Sequence, residues 1–190
     1  MPFAYTGGCW LYGPVGDTTA TEGTPFHPLP GFSFMVAHRQ RLFDTAHLRA
    51  CTVHPAIVWD EAGGAIAAFI DDAKAGKAPR VYGAVDVRWP LVHRSDLARL
   101  YAHALEAGRP GADYHGVAEH GTPVHGIASV IARRFGAPAP EVRPVAEAVA
   151  AFGSSGAGLA LDQTMEAPLT RAELGWLPRH PPVLEAISRS

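Results

Sequence analysis

The sequence predicts an α/β fold, a parallel sheet with crossover helices, and three observations predict it. Short runs rich in β-branched and aromatic residues alternate with segments of helical period. The helical segments are bounded by capping residues and closed by glycine. The chain has 190 residues, 47% of them hydrophobic and 18% charged, a composition that supports one buried core and argues for a single domain over residues 1–190.

Taken in order, Phe3-Ala-Tyr-Thr6 reads as a short strand running into Gly7-Gly8. A loop rich in Gly, Thr and Pro spans Gly13 to Gly31. A helix follows, carrying Phe34, Ala37, Arg41 and Leu42 and reaching about His47. Ala50 to Trp59 is a β-branched run interrupted by Pro55, expected as one strand ending in a turn or bulge. From Gly63 or Gly64 a helix should place Ile66, Phe69, Ile70 and Ala73 on one face and stop at Gly76. Arg80–Gly83 and Trp89–His93 read as extended. Ser95 or Asp96 then caps an amphipathic helix with Leu97, Leu100, Tyr101, Ala104 and Leu105 at i, i+3, i+4, i+7 and i+8.

Asp113 to Ala118 is the next strand. Thr122-Pro123 supplies an N-cap and a first-turn proline for a helix with Val124, Ile127, Ala128, Ile131 and Phe135, ending at Gly136. Pro144 to Phe152 reads as a short Ala-rich helix and Gly153 to Gly158 as a flexible loop. Thr170-Arg-Ala-Glu173 fits a capping box closed by Gly175.

Sixteen Lys and Arg against eighteen Asp and Glu, with no run of five like charges, give no electrostatic reason to bind nucleic acid or an anionic membrane. The charge-free N-terminal stretch is broken by Gly7, Gly8, Gly13 and Pro14, so no spanning helix or signal peptide is expected, and the cytoplasm is the expected compartment. Cys9 and Cys51 are expected as buried reduced thiols. No G-x-S-x-G elbow is present, since Gly31-Phe-Ser-Phe-Met35 fails at its last position. His115, Glu119, His120 and His125 lack the H-E-x-x-H spacing and its inverse, so no metal site is expected. Gly153 to Gly158 reads G-x-x-G-x-G and does not open a helix after a strand, so it carries no phosphate argument.

Four stretches in a fixed order are more specific: Tyr5-Thr-Gly-Gly-Cys-Trp-Leu-Tyr12-Gly13, His54-Pro-Ala-Ile-Val-Trp59, Arg88-Trp-Pro-Leu-Val-His93-Arg-Ser-Asp96-Leu-Ala98 and Ala172-Glu-Leu-Gly-Trp176-Leu-Pro178. Together they resemble the extended short-chain dehydrogenase/reductases, the NAD-dependent epimerase/dehydratase family, in its atypical nucleoside-diphosphate-sugar-epimerase-like branch. The resemblance implies a partial Rossmann-like parallel sheet, later strands only, with a small C-terminal substrate lobe. Phe3–Thr6 would be the fifth strand and Ala50–Trp59 the sixth, and the N-terminal cofactor-binding half, with its Gly-rich turn, would be absent from this chain.

Such enzymes use a Ser or Thr after the fifth strand and a Tyr-x-x-x-Lys on the next helix, where Lys depresses the tyrosine pKa. Aligning on Tyr12-Gly13 puts Gly8 at the Ser/Thr position, with Thr6 the nearest hydroxyl. Phe32 or Gly31 falls at the Tyr and Val36 or Met35 at the Lys. The resemblance therefore implies Thr6 and Tyr12 as the polar groups nearest the chemistry, with His54 and Pro55 beside the nicotinamide, and Arg88 and His93 as substrate-binding residues, Arg88 toward a nucleotide-sugar phosphate. It implies NAD or NADP as cofactor and a nucleotide-sugar or other small carbonyl or hydroxyl compound as substrate, with turnover impaired in the isolated chain. The alternative is a non-catalytic binding module that keeps the substrate lobe. A homo-oligomer or a complementing N-terminal chain is the expected protein partner.

Overall fold

A computed structural model describes residues 1–61 and 63–189. In chain order the elements are β1 (Pro2–Thr6), α1 (Phe34–Phe43), β2 (Arg49–Pro55), β3 (Ile57–Asp60), β4 (Gly63–Gly64), α2 (Ala67–Lys74), β5 (Arg80–Tyr82), β6 (Arg88–His93), α3 (Arg94–Ala107), β7 (Asp113–Gly116), β8 (Glu119–Pro123), α4 (Val124–Phe135), β9 (Glu141–Arg143), α5 (Val145–Phe152), α6 (Ser154–Leu159), α7 (Pro168–Leu174) and α8 (Val183–Arg189). Single 3-10 turns occupy Cys9–Leu11 and Pro30–Phe32.

Three strands form a parallel sheet in the order β1-β2-β7, as the alternation of strands and helices predicts. Ala4 pairs with Cys51, Thr52 with Asp113 and His54 with His115. Within the described residues β1 is paired on its β2 side alone. A second sheet, β4-β3-β6-β8, is mixed: β3 runs parallel to β6, and β8 antiparallel to it. β5 and β9 make a small parallel pair.

Ala50–Trp59 is two strands rather than one, because the chain changes sheets at Ala56. β2 ends at Pro55, whose missing N–H cannot extend a central ladder, and β3 joins the second sheet. That step opens the space between the two sheets.

The helices follow burial. α4 buries Val124, Ile127, Ala128, Ile131 and Ala132 as one stripe and ends at Gly136 with φ +65°. α2 buries Phe69, Ile70 and Ala73 and is followed by Gly76 at φ +70°. α3 is capped by His93, whose ring accepts the Ser95 N–H, instead of by Ser95 or Asp96. Asp96 is fully buried and receives the backbone N–H groups of Arg179 and His180.

Three further expectations give way. Thr122 belongs to β8, and Pro123 is the residue that caps α4. Thr170 and Glu173 do not form a capping box. The Thr170 hydroxyl takes the His115 N–H and bonds Glu22, and Glu173 takes the Tyr114 hydroxyl. The stretch from 153 to 158 is not a loop: Gly153, at φ +60°, separates α5 from α6, and Gly156 and Gly158 lie within α6, where small residues allow close packing. A side chain at Gly158 would occupy the Trp10 indole, and one at Gly156 the Ala148–Val149 peptide.

Both cysteines are buried free thiols. No described helix is long and apolar enough to cross a membrane.

Candidate functional site

In a parallel sheet the carboxyl ends of the strands face a common crevice where ligands bind. Here β1 leaves through Gly7-Gly8 into the 3-10 turn at Cys9, while β2 leaves through Pro55 and Ala56. Between these exits lies a cavity of about 370 Å³. Gly7 and Gly8 lie on one side, Pro55, Ile57 and Val58 on another, and Trp10, Phe32 and Met35 close it, with Leu159 at the lobe end. The Trp10 and Phe32 rings meet at 5.1 Å and 55°.

The lining is apolar almost throughout. Among the described residues that line it, Cys9 alone carries an ionisable side chain, and burial pushes that thiol up to about 12. Phe32 and Met35 are both lining residues, whereas Gly31 and Val36 are not. Neither possible register of Tyr-x-x-x-Lys therefore has both of its positions in the lining.

A polar cluster lies directly behind this wall. His54 is 0% exposed. Its Nδ1 faces the Gly8 N–H at 3.4 Å and so accepts, leaving Nε2–H to donate to Asp113 Oδ1 at 3.0 Å. The same carboxylate takes a two-point contact from Arg39 of α1. Burial raises the Asp113 carboxyl, but the hydrogen bonds from His54 and Arg39 outweigh it and hold the group below its ordinary value. The Arg39 guanidinium in turn lies over the Phe43 ring, 4.2 Å from its centroid.

One register position across, the Nδ1 of His115 lies 2.7 Å from the Glu166 carbonyl and must donate to it. Its Nε2 then accepts the Tyr12 hydroxyl at 2.7 Å. Burial pulls His115 down to about 4, so the ring is neutral at pH 7. Burial also raises the Tyr12 phenol, with the Asp113 charge adding to it.

The residues singled out from the sequence divide accordingly. Pro55 lines the cavity; Tyr12 and His54 sit behind it, fully bonded. Thr6 is exposed, outside the lining, with its hydroxyl 2.7 Å from that of Tyr101. Arg88 is outside as well, gripped by Asp162 through Nε at 2.9 Å and an η nitrogen at 2.7 Å. His93 ends β6, 3.3 Å from Glu61.

Sequence reasoning missed Trp10, Asp113 and Arg39. Asp113 stands at the start of a predicted strand, and only the register that sets His54 opposite His115 shows that its carboxylate can reach the His54 ring.

The model of the NAD dependent epimerase/dehydratase family matches residues 2–116. An uncharacterized protein of Schizosaccharomyces pombe is 41% identical over 92 residues, which is 48% of this chain and 31% of that protein. One of Saccharomyces cerevisiae is 38% identical over 99 residues, 52% of this chain and 33% of its own length. Among solved structures, a dTDP-glucose 4,6-dehydratase from Streptomyces venezuelae, with NAD and TYD bound, superposes with a TM-score of 0.80 at 17% identity, covering 99% of this chain and 58% of that one. A human epimerase family protein with NADPH gives 0.78 at 23%, covering 99% and 64%. UDP-glucose 4-epimerase from Thermotoga maritima, with UDP-glucose, gives 0.80 at 18%, covering 98% and 61%. These likenesses establish the fold, and the chain spans about three fifths of each of those structures. With more than half of its length matched by the family model, this chain belongs to the NAD dependent epimerase/dehydratase family.

Proposed function

We propose that this chain is the substrate-side part of an NAD(P)-dependent epimerase/dehydratase-like protein, and that its cavity holds a flat ring by apolar contact without supplying the group that moves a proton. The observation that carries this reading is the lining itself, in which, among the described residues, Cys9 alone has an ionisable side chain, held as a thiol.

The family implies NAD or NADP, and the residues present fit one end of such a molecule. Gly7, Gly8, Pro55 and Ala56 lie at the carboxyl ends of adjacent parallel strands, and Gly8 has nothing within 4 Å of the place a Cβ would take. A planar ring can therefore approach the backbone closely. The pyrophosphate end has no counterpart at this cavity: the exit of β1 leads into a three-residue 3-10 turn rather than a Gly-rich turn opening a long helix. When bound, a nicotinamide supplies a hydride donor or acceptor. The work of this chain is to orient the ring between Trp10, Phe32 and Pro55 and to keep water from it.

Reduction of a carbonyl also needs a proton, and in this family a Tyr with a lowered pKa gives it. Phe32 and Met35 cannot, and the Tyr12 hydroxyl is spent on His115. Binding without turnover is thus the reading favoured for the chain alone. A nucleotide-sugar phosphate is disfavoured, since Arg88 is already neutralised by Asp162.

Trp10 fluorescence tests this. N-methylnicotinamide should quench Trp10 and NADH should bind no more tightly than that fragment, whereas Trp10→Ala should lose the response. Low-micromolar NADH binding, or reduction of a small carbonyl by the wild-type chain, would overturn the proposal.

A further inference from the structure

On the far side of β3 and β6 stands a second cluster that the cavity does not use. Trp59 of β3 pairs in register with His93 of β6. After α7 the chain returns across this edge. The Trp176 indole donates to the Asp96 carbonyl at 3.0 Å, and the N–H groups of Arg179 and His180 donate to the Asp96 carboxylate at 3.1 and 3.0 Å. These bonds lay the His180 ring flat on His93, with centroids 3.5 Å apart and planes at 12°, a face-to-face arrangement that aromatic pairs ordinarily avoid. Glu61 spans the two rings, 2.7 Å from His180 Nε2 and 3.3 Å from His93 Nε2. The three ligand atoms all lie within 4.8 Å of one another.

We propose that Glu61, His93 and His180 hold one divalent cation of the zinc class, with its open position facing the adjoining cavity of about 190 Å³. Two imidazoles and a carboxylate are a zinc donor set that leaves a fourth place for water or an anion. Each ring is also anchored through its other nitrogen, the partner arrangement that fixes a ligating histidine. His180 Nδ1 donates to the Pro181 carbonyl at 3.0 Å, and His93 Nδ1 lies 2.7 Å from Ser95 Oγ.

A separate observation points to a ligand in the open position. Trp59 lines this cavity, is 1% exposed, and its indole N–H has no partner among the described residues. A metal-bound oxygen would accept it.

Binding requires both Nε2 atoms to be free of protons. In this structure His93 Nδ1 accepts the Ser95 N–H at 3.3 Å. Cation binding at Nε2 therefore moves the ring proton to Nδ1, which gives up that cap bond and donates to Ser95 Oγ, and any further displaced proton leaves to solvent. Stacked rings aim their lone pairs nearly parallel, so His180, whose side chain is 20% exposed, must turn its Nε2 toward that of His93. The exposed Glu61 provides the entry side.

The test uses the whole chain stripped of metal with a chelator and titrated with Zn²⁺ by calorimetry and with Co²⁺ by visible absorption. One equivalent should bind, with the intense absorption of four-coordinate cobalt, and Zn²⁺ should shift the ring nitrogen resonances of His93 and His180. Glu61→Gln and His180→Ala should weaken binding by about 100-fold or more, and Ser95→Ala, which removes an anchor only, by about tenfold. His125→Ala should leave binding unchanged. Affinity unaltered in both ligand variants would overturn the site. So would the weak spectrum of six-coordinate cobalt, or no binding by folded wild-type chain.

Discussion

The apolar cavity and the polar cluster behind it meet at the exits of β1 and β2, the cluster drawing also on β7 and α1, and they have opposite chemistry. On the cavity side stand Gly8, Trp10, Phe32, Met35 and Pro55. On the other stand Tyr12, His54, Asp113, His115 and Arg39, each with a bonded partner. Proton-bearing groups are therefore present at the carboxyl end of the sheet but turned away from the space where a ligand fits. Their effect is to fix the shape of the wall: His54 takes the Gly8 N–H, and Asp113 ties His54 to Arg39 of α1. In this chain polar residues hold the wall and apolar residues line the cavity.

Asp113→Ala breaks that division most severely. It leaves His54 N–H and Arg39 without their acceptor in a setting where the Asp113 side chain is 13% exposed and His54 is 0% exposed. Removing one partner of a buried pair costs about 3–5 kcal/mol, and the partial exposure places this case at the lower end. Urea denaturation should show a loss of about 3 kcal/mol. A loss below about 0.5 kcal/mol, the level of a neutral surface change, would mean the cluster does not hold the wall.

Gly7→Ala sharpens the comparison from the backbone. A Cβ there would fall inside the His54 imidazole, 2.6 Å from Cε1, and the ring cannot retreat because both its nitrogens are engaged. Overpacking of this kind costs about 1–3 kcal/mol. Thermal unfolding should show the drop, and cavity binding monitored at Trp10 should weaken with it.

The His115–Tyr12 pair adds a pH dependence confined to the cluster. His115 is pulled from 6.5 to about 4 by burial. Between those values the unfolded chain holds a proton that the folded one does not, so stability falls as pH drops through the window. Its contribution is complete above the window and changes no further below it. The slope should approach about 1.4 kcal/mol per pH unit, and His115→Gln should flatten it. Asp113, also depressed, acts lower: its contribution is present above the unfolded carboxyl value and is lost as pH falls further. An unchanged slope in His115→Gln would assign the acid sensitivity elsewhere.

How much of this was legible in the sequence depended on what each segment packs against. α4 and α2 were readable because a core-facing stripe reports burial directly, and β1, β2 and β7 because their β-branched and aromatic runs sit between turn residues. α1 buries none of its residues, so its helical period carried a weaker signal. The glycines of α6 were misread because their small size suggests freedom in isolation, while Trp10 and Ala148 give it a packing reason in the fold. The site was half legible. That Gly8 stands at the Ser/Thr position, Phe32 or Gly31 at the Tyr and Val36 or Met35 at the Lys followed from the resemblance aligned on Tyr12-Gly13. The orientation of His54 and Tyr12 away from the cavity did not, since a side chain at a strand end is assigned to a face only once the register and the following turn are known.

Gly8 gives the smallest expected effect and the most discriminating one. Its φ of 173° is ordinary extended backbone, and the position of a Cβ is open for 4 Å around, so Gly8→Ala and Gly8→Ser should both leave stability within about 0.5 kcal/mol of wild type. That near-neutrality, beside the penalty at Gly7 one residue earlier, tests whether the wall is rigid behind and open in front. Gly8→Ser also puts a hydroxyl at the place where the family carries its Ser or Thr. If the cavity selects its ligand by apolar contact, this hydroxyl should weaken binding of a nicotinamide ring at Trp10 only a few-fold and, with Phe32 and Met35 unchanged, should not create carbonyl reduction. Reduction appearing in Gly8→Ser alone would show that one hydroxyl suffices and that a proton donor outside the described lining reaches the ligand.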